Sequence, residues 1–128
     1  MNSSRLTKTR PKNLNLFTIH FPLPAIVSIL HRISGFILFL LIPFMILGLD
    51  YSLTLSGFET IQQWLDHFFV RFVLWLLFIP FCFHLIAGIR HLLMDIHIGD
   101  QLKSGRLFSQ LVFVITILFV ILAGIWLW

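Results

Sequence analysis

Charge is scarce in this chain of 128 residues: Asp, Glu, Lys and Arg together make up 11%, whereas hydrophobic residues make up 59%. That balance leaves too little polar surface for a soluble domain of this size and excludes that class before any motif is read. Cysteine is nearly absent as well. With Cys82 alone, the chain has no internal disulfide and no thiolate metal cluster of its own, and its place inside an apolar run marks it as a packing residue. The apolar runs lack the alternation of a barrel wall, and no internal repeat or low-complexity tract is present. Acids number only five against nine Lys and Arg. The basic residues bracket the apolar runs instead of forming a continuous patch, so the excess is a topological signal and no nucleic acid is expected as a partner.

The long uncharged runs then define the architecture. Ile33 to Leu49, Phe72 to Ile89 and Leu107 to Trp128 each approach or exceed the roughly 17 to 25 residues that cross hydrocarbon as a helix. A helix satisfies its backbone groups internally, so the expected fold class is an all-α integral membrane protein with three transmembrane helices. Residues 1–24 are expected to form an N-terminal arm and turn, and residues 25–128 the transmembrane domain, with spans at about 25–50, 67–96 and 106–128. Phe21-Pro22-Leu23-Pro24 reads as extended, which predicts that the first helix starts just after Pro24; Pro43 and Pro80 interrupt span interiors as bends. Between the first two spans, Ile61, Trp64 and Leu65 beside Gln62, Gln63 and Asp66 suggest a short amphipathic piece.

Orientation follows from the cations. Arg5, Lys8, Arg10, Lys12 and Arg32 precede or open the first span, and Arg90, Lys103 and Arg106 surround the second connection, whereas the stretch from Asp50 to Asp66 has no Lys or Arg. This distribution predicts a cytoplasmic N-terminus and a periplasmic C-terminus in a bacterial inner membrane, with Trp64, Trp126 and Trp128 at the outer interface. The first apolar run is long and lacks a small-residue cleavage site, so it reads as an uncleaved span.

The second span carries His84 and His91 in Phe83-His84-Leu85-Ile86-Ala87-Gly88-Ile89-Arg90-His91. Imidazoles in hydrocarbon need compensating partners and mark a functional site. Seven residues advance a helix by about 10.5 Å and return it almost to the same face, so the two histidines form one stripe at different depths. That arrangement suits an elongated ligand such as haem, with deep His84 at the iron and shallow His91 at a propionate. Gly88 between them would admit a flat ring or another backbone. In the first span, Ser28-Ile29-Leu30-His31-Arg32-Ile33-Ser34-Gly35 puts Ser28, His31 and Arg32 on one face, where they can meet the His91 end of the second span as a cofactor-edge pocket. The competing reading has Arg32 snorkelling to headgroups while His31 caps polar neighbours.

The Arg10-Pro11-Lys12-Asn13-Leu14 segment, the Ser28 to Gly35 octet and the series His84, Gly88-Ile89-Arg90-His91, Asp95 resemble the larger cytochrome b membrane-anchor subunit of bacterial succinate dehydrogenase, over nearly everything from Arg10 onward. The resemblance implies a subunit of respiratory complex II, beside a flavoprotein that oxidises succinate, an iron-sulfur subunit and a second hydrophobic anchor. It also implies one haem b shared between the anchors, with His84 as an axial iron ligand and His31, Arg32 and His91 near the propionates. Ser28 and Arg32 are carried over as ubiquinone-site residues, and Asp95 as a weaker candidate that would equally pair with Arg90 or His91. No catalytic residue is expected here, since succinate oxidation belongs to the partners. Haem b of this type is six-coordinate, and His31, His91 and His67 are expected at depths other than that of His84, so the second axial ligand is expected from the other anchor. An anchor of a fumarate reductase-type complex and a purely structural membrane anchor are the alternatives.

Overall fold

The computed structural model describes residues 21–99 and 101–128; the N-terminal arm as far as residue 20 lies outside the described residues. Four helices follow in order, α1 (Leu23–Ser52), α2 (Leu55–Leu65), α3 (Phe68–Asp95) and α4 (Leu102–Leu127), and no strand occurs among the described residues. Of these, α1, α3 and α4 are long and apolar enough to cross a membrane. α1 begins at Leu23, slightly earlier than the sequence suggests. Pro24 falls in its first turn, where the missing N–H has no helical acceptor to satisfy, and extended Pro22 (φ −65°, ψ 149°) precedes it. Pro43 and Pro80 lie inside α1 and α3, which continue through both.

The first connection folds as α2, a helix of 11 residues that contains the short amphipathic piece read from sequence. Thr54 Oγ1 caps it by accepting from Gly57 N at 3.1 Å. Glycine is required at 57, because a Cβ there would lie 2.0 Å from the Tyr51 carbonyl oxygen. Just inside α3, Arg71 pairs with Asp66 at 3.2 Å and donates to the Leu65 carbonyl, which offsets a cation on the acidic side of the chain. At the opposite end, His97 (φ 63°) and Gly99 (φ 81°) adopt left-handed conformations that turn the chain from α3 into α4.

Helix α3 packs against both α1 and α4, and α1 also touches α4. Val27, Phe83, Ala87 and Val112 form the shared core, flanked by Ile86 and Phe113. On α4, Gly105, Ser109, Val112 and Thr116 make a buried stripe. The Ser109 and Thr116 hydroxyls donate to Gly105 O and Val112 O within their own helix, each at 2.7 Å, which satisfies them and leaves a slim face for helix approach. Cys82 is buried and unpaired. Outward-facing apolar side chains remain widely exposed, with Phe36 at 63%, Phe39 at 66% and Phe44 at 69%, so a medium other than water must cover them.

One polar bond ties α3 to α4 deep in the apolar region: Trp75 Nε1 donates to Val120 O at 2.9 Å. The indole reaches it because residue 124 is glycine, where a Cβ would stand 3.1 Å from Trp75 Nε1. Trp75→Phe is expected to lower the unfolding free energy by about 1 kcal/mol in a detergent titration, in keeping with interhelical hydrogen bonds in membranes. An unchanged titration would show that the bond contributes nothing net.

Candidate functional site

The polar side chains of α1 and α3 converge where sequence spacing placed them on facing stripes. His31 from α1 stacks on His84 from α3, with ring centroids 4.2 Å apart and an interplanar angle of 12°. On its other side His31 meets His91 at 4.9 Å and 42°. The three imidazoles therefore form a continuous row, with the α1 ring between the two α3 rings. His31 thus lies beside His84, and the depth difference expected from sequence does not hold for this pair. An α1 side chain leaning across the helix interface reaches further along α3 than its position in the span implies.

His84 is held from the α1 side. Its Nδ1 lies 3.1 Å from His31 O and 3.2 Å from Ser34 Oγ, and Ser34 Oγ itself donates to His31 O at 2.9 Å. A carbonyl oxygen only accepts, so Nδ1 carries the hydrogen and Nε2 keeps its lone pair. A backbone carbonyl on one imidazole nitrogen is the arrangement that orients a metal-ligating histidine and fixes its tautomer. Close packing holds the ring in place. A Cβ at Gly35 would lie 2.8 Å from His84 Cε1, and one at Gly88 would lie 3.4 Å from His31 Nε2. The group that Gly88 faces is the imidazole of His31. Ser34 is 4% exposed and Gly35 half-buried, so the pair forms part of the interior wall.

His31 Nε2 is buried and has no hydrogen-bond partner among the described residues, which leaves an unspent polar group inside an apolar bundle. Ser28 is half-buried one turn before His31, while Arg32 is exposed. Asp95 is also exposed and makes no ion pair with Arg90 or His91; Arg71–Asp66 is the ion pair among the described residues. His67 starts α3 at the far end of that helix, away from the row. Arg90, which sequence places among the topology-setting cations, is instead 4% exposed, with Nε and Nη2 unpartnered among the described residues.

Ser34 and Gly35 stand in the octet without an assigned role in the sequence reading. The available signal was spacing: Ser34 follows His31 by three residues and so shares its face. Among the described residues, no three His, Cys, Asp or Glu side chains are arranged to hold a metal ion by themselves. What the cluster offers a metal is one oriented imidazole nitrogen.

These features define an all-helical membrane subunit with three spans and a row of three histidines between α1 and α3. The comparisons with known proteins give the family: residues 7–123 match the succinate dehydrogenase/fumarate reductase transmembrane subunit, and the chain belongs to that family. A succinate dehydrogenase cytochrome b556 subunit of Coxiella burnetii (strain RSA 493 / Nine Mile phase I) is 41% identical over 121 residues, covering 93% of this chain and 97% of the relative. One from Paracoccus denitrificans is 30% identical over 106 residues, covering 79% of this chain and 78% of the relative. The chain is therefore a multi-pass membrane protein, a succinate dehydrogenase cytochrome b-type anchor.

Proposed function

We propose that this chain anchors a succinate:quinone oxidoreductase, binds haem b through His84, and contributes Ser28 and Arg32 to the site where ubiquinone is reduced. The observation that carries the reading is the fixed tautomer of His84, whose Nδ1 is held by His31 O and whose Nε2 remains a lone-pair donor. The cytochrome b556 names of two relatives agree with it. When bound, the haem supplies a one-electron redox centre within the bundle. His31 and His91 form the polar edge where its propionates meet the chain, with Arg32 adding positive charge. The unpartnered Nε2 of His31 is a ready donor or acceptor for that edge.

The second axial ligand comes from the other anchor subunit. His84 would hold the haem iron, while His31, stacked face to face on His84 at 4.2 Å, would line the cofactor beside it. The stacking supports a role for His31 at the cofactor edge and a second ligand from the other anchor. The flavoprotein and iron-sulfur subunits complete the complex, and electrons leaving the iron-sulfur subunit meet ubiquinone at the cytoplasmic boundary of an inner membrane. The N-terminus faces that side, where the cations of the second connection also lie.

At the quinone, the Arg32 guanidinium polarises a carbonyl oxygen and the Ser28 hydroxyl donates a hydrogen bond as that oxygen gains electron density and protons. Both are positioning and electrostatic roles, and Asp95 is a weaker candidate at the same boundary. Ser28→Ala and Arg32→Leu are expected to lower succinate-dependent ubiquinone reduction, by about 10-fold or more for Arg32→Leu. Succinate oxidation with a soluble artificial acceptor stays near the wild-type rate in both variants. Equal losses in the two assays would mean failed assembly, whereas unchanged ubiquinone reduction in both variants would remove the quinone-site assignment. Comparing succinate oxidation with fumarate reduction in the purified complex fixes the physiological direction.

A further inference from the structure

A second polar feature lies at the α3–α4 end of the bundle and shares none of the residues assigned above. A cavity of about 420 Å³ is lined by Pro22, Pro24, Arg90, Met94, Gly99, Gln101, Lys103, Gly105 and Arg106. Three of these are cations, and among the described residues no acidic side chain contributes to the wall. Arg90 is 4% exposed, yet its Nε and Nη2 have no hydrogen-bond partner among the described residues. A buried guanidinium with unpaired donors is costly to leave so, and an anion is the partner that satisfies it. The cavity also takes in the start of α4, whose Gln101 N-cap makes no side-chain capping bond and whose first turn holds no acid. That end presents free backbone N–H groups and the positive pole of the helix.

We infer that this cavity binds the phosphate of an anionic phospholipid. The site joins the end of one span to the start of the next, and Arg90 lies five residues, about 7.5 Å, from the end of α3, at headgroup depth. Its walls are those of an amphiphile site, with Pro22, Pro24 and Met94 apolar and with Lys103 and Arg106 exposed at the mouth. Basic pockets between membrane helices take anionic headgroups in this way. A free phosphate would satisfy the cations but leave the apolar wall bare.

The test uses the intact complex purified through the full chain, delipidated in detergent. Native mass spectrometry then follows retention of dioleoylphosphatidylglycerol, dioleoylphosphatidylcholine or inorganic phosphate. Wild type is expected to retain one more phosphatidylglycerol than Lys103→Gln/Arg106→Gln, with an affinity difference of about 25-fold, or about fivefold for each charge removed. Arg90→Gln is expected to lose the same lipid, and the exposed double variant keeps the test decisive if Arg90→Gln does not assemble. Phosphatidylcholine should be retained equally by all variants, and millimolar inorganic phosphate should leave the lipid in place. The proposal is overturned if phosphatidylglycerol retention is the same in wild type and the double variant, or if inorganic phosphate alone displaces the lipid. It is overturned too if Arg90 crosslinks to a carboxylate of another subunit, which would identify a protein partner as the occupant.

Discussion

His84→Leu is expected to abolish the b-type haem spectrum of a complex purified through this chain, whereas His31→Leu should keep a haem with a shifted reduction potential. The contrast follows from the geometry of the histidine row. Within the row, His84 has its Nδ1 held by a backbone carbonyl, so its Nε2 is the oriented donor. His31 lies between His84 and His91 with Nε2 unpartnered, so its loss changes the polarity and packing of the cofactor edge without removing the iron ligand. A reduced-minus-oxidised difference spectrum and a redox titration read the two variants. Loss of haem in His31→Leu with retention in His84→Leu would reverse the assignment.

Gly35→Val is expected to be nearly as damaging, through position alone. A Cβ at residue 35 would stand 2.8 Å from His84 Cε1, and the imidazole has little freedom to withdraw while it is stacked on His31 and held by Ser34 and the His31 carbonyl. The ring must tilt and give up those bonds. Partners that orient metal-ligating histidines are worth about 10- to 100-fold in metal affinity, and a loss of haem affinity in that range is expected from Gly35→Val, with a smaller loss from Ser34→Ala. Gly48 provides the internal control. Nothing lies within 4 Å of a Cβ built at that position, so Gly48→Ala should leave haem affinity unchanged. Equal behaviour of the Gly35 and Gly48 variants would show that helix propensity, not the imidazole, sets the effect.

The three long helices were legible in the sequence because hydrocarbon imposes a length and forbids charge, and both constraints act on residues in order along the chain. Helix ends were less so. Pro24 suggested a later start to α1, yet proline in a first turn lacks only a hydrogen that the helix does not use. The convergence of His31 and His91 was foreseeable from spacing, since both stand on stripes that face each other at one end of the bundle. The contact of His31 with His84 was not, because side-chain lean across an interface depends on both helices. For the same reason Ser34, Gly35 and Trp75 showed no role beforehand: each acts on a residue 40 or more positions away. Arg90 was hidden by its company. In sequence it reads as one of several cations around a loop, and only the packed bundle buries it.

The central claim is that this anchor holds a haem through His84 together with a second chain. Its most direct test is the haem content and spectrum of the native complex purified through this chain, with its flavin and iron-sulfur content measured in the same preparation. The account predicts a low-spin, six-coordinate b-type haem in equal amount to this chain, lost on His84→Leu while flavin and iron-sulfur subunits remain bound. A preparation that carries those subunits and reduces ubiquinone with succinate, yet contains no haem, would contradict it.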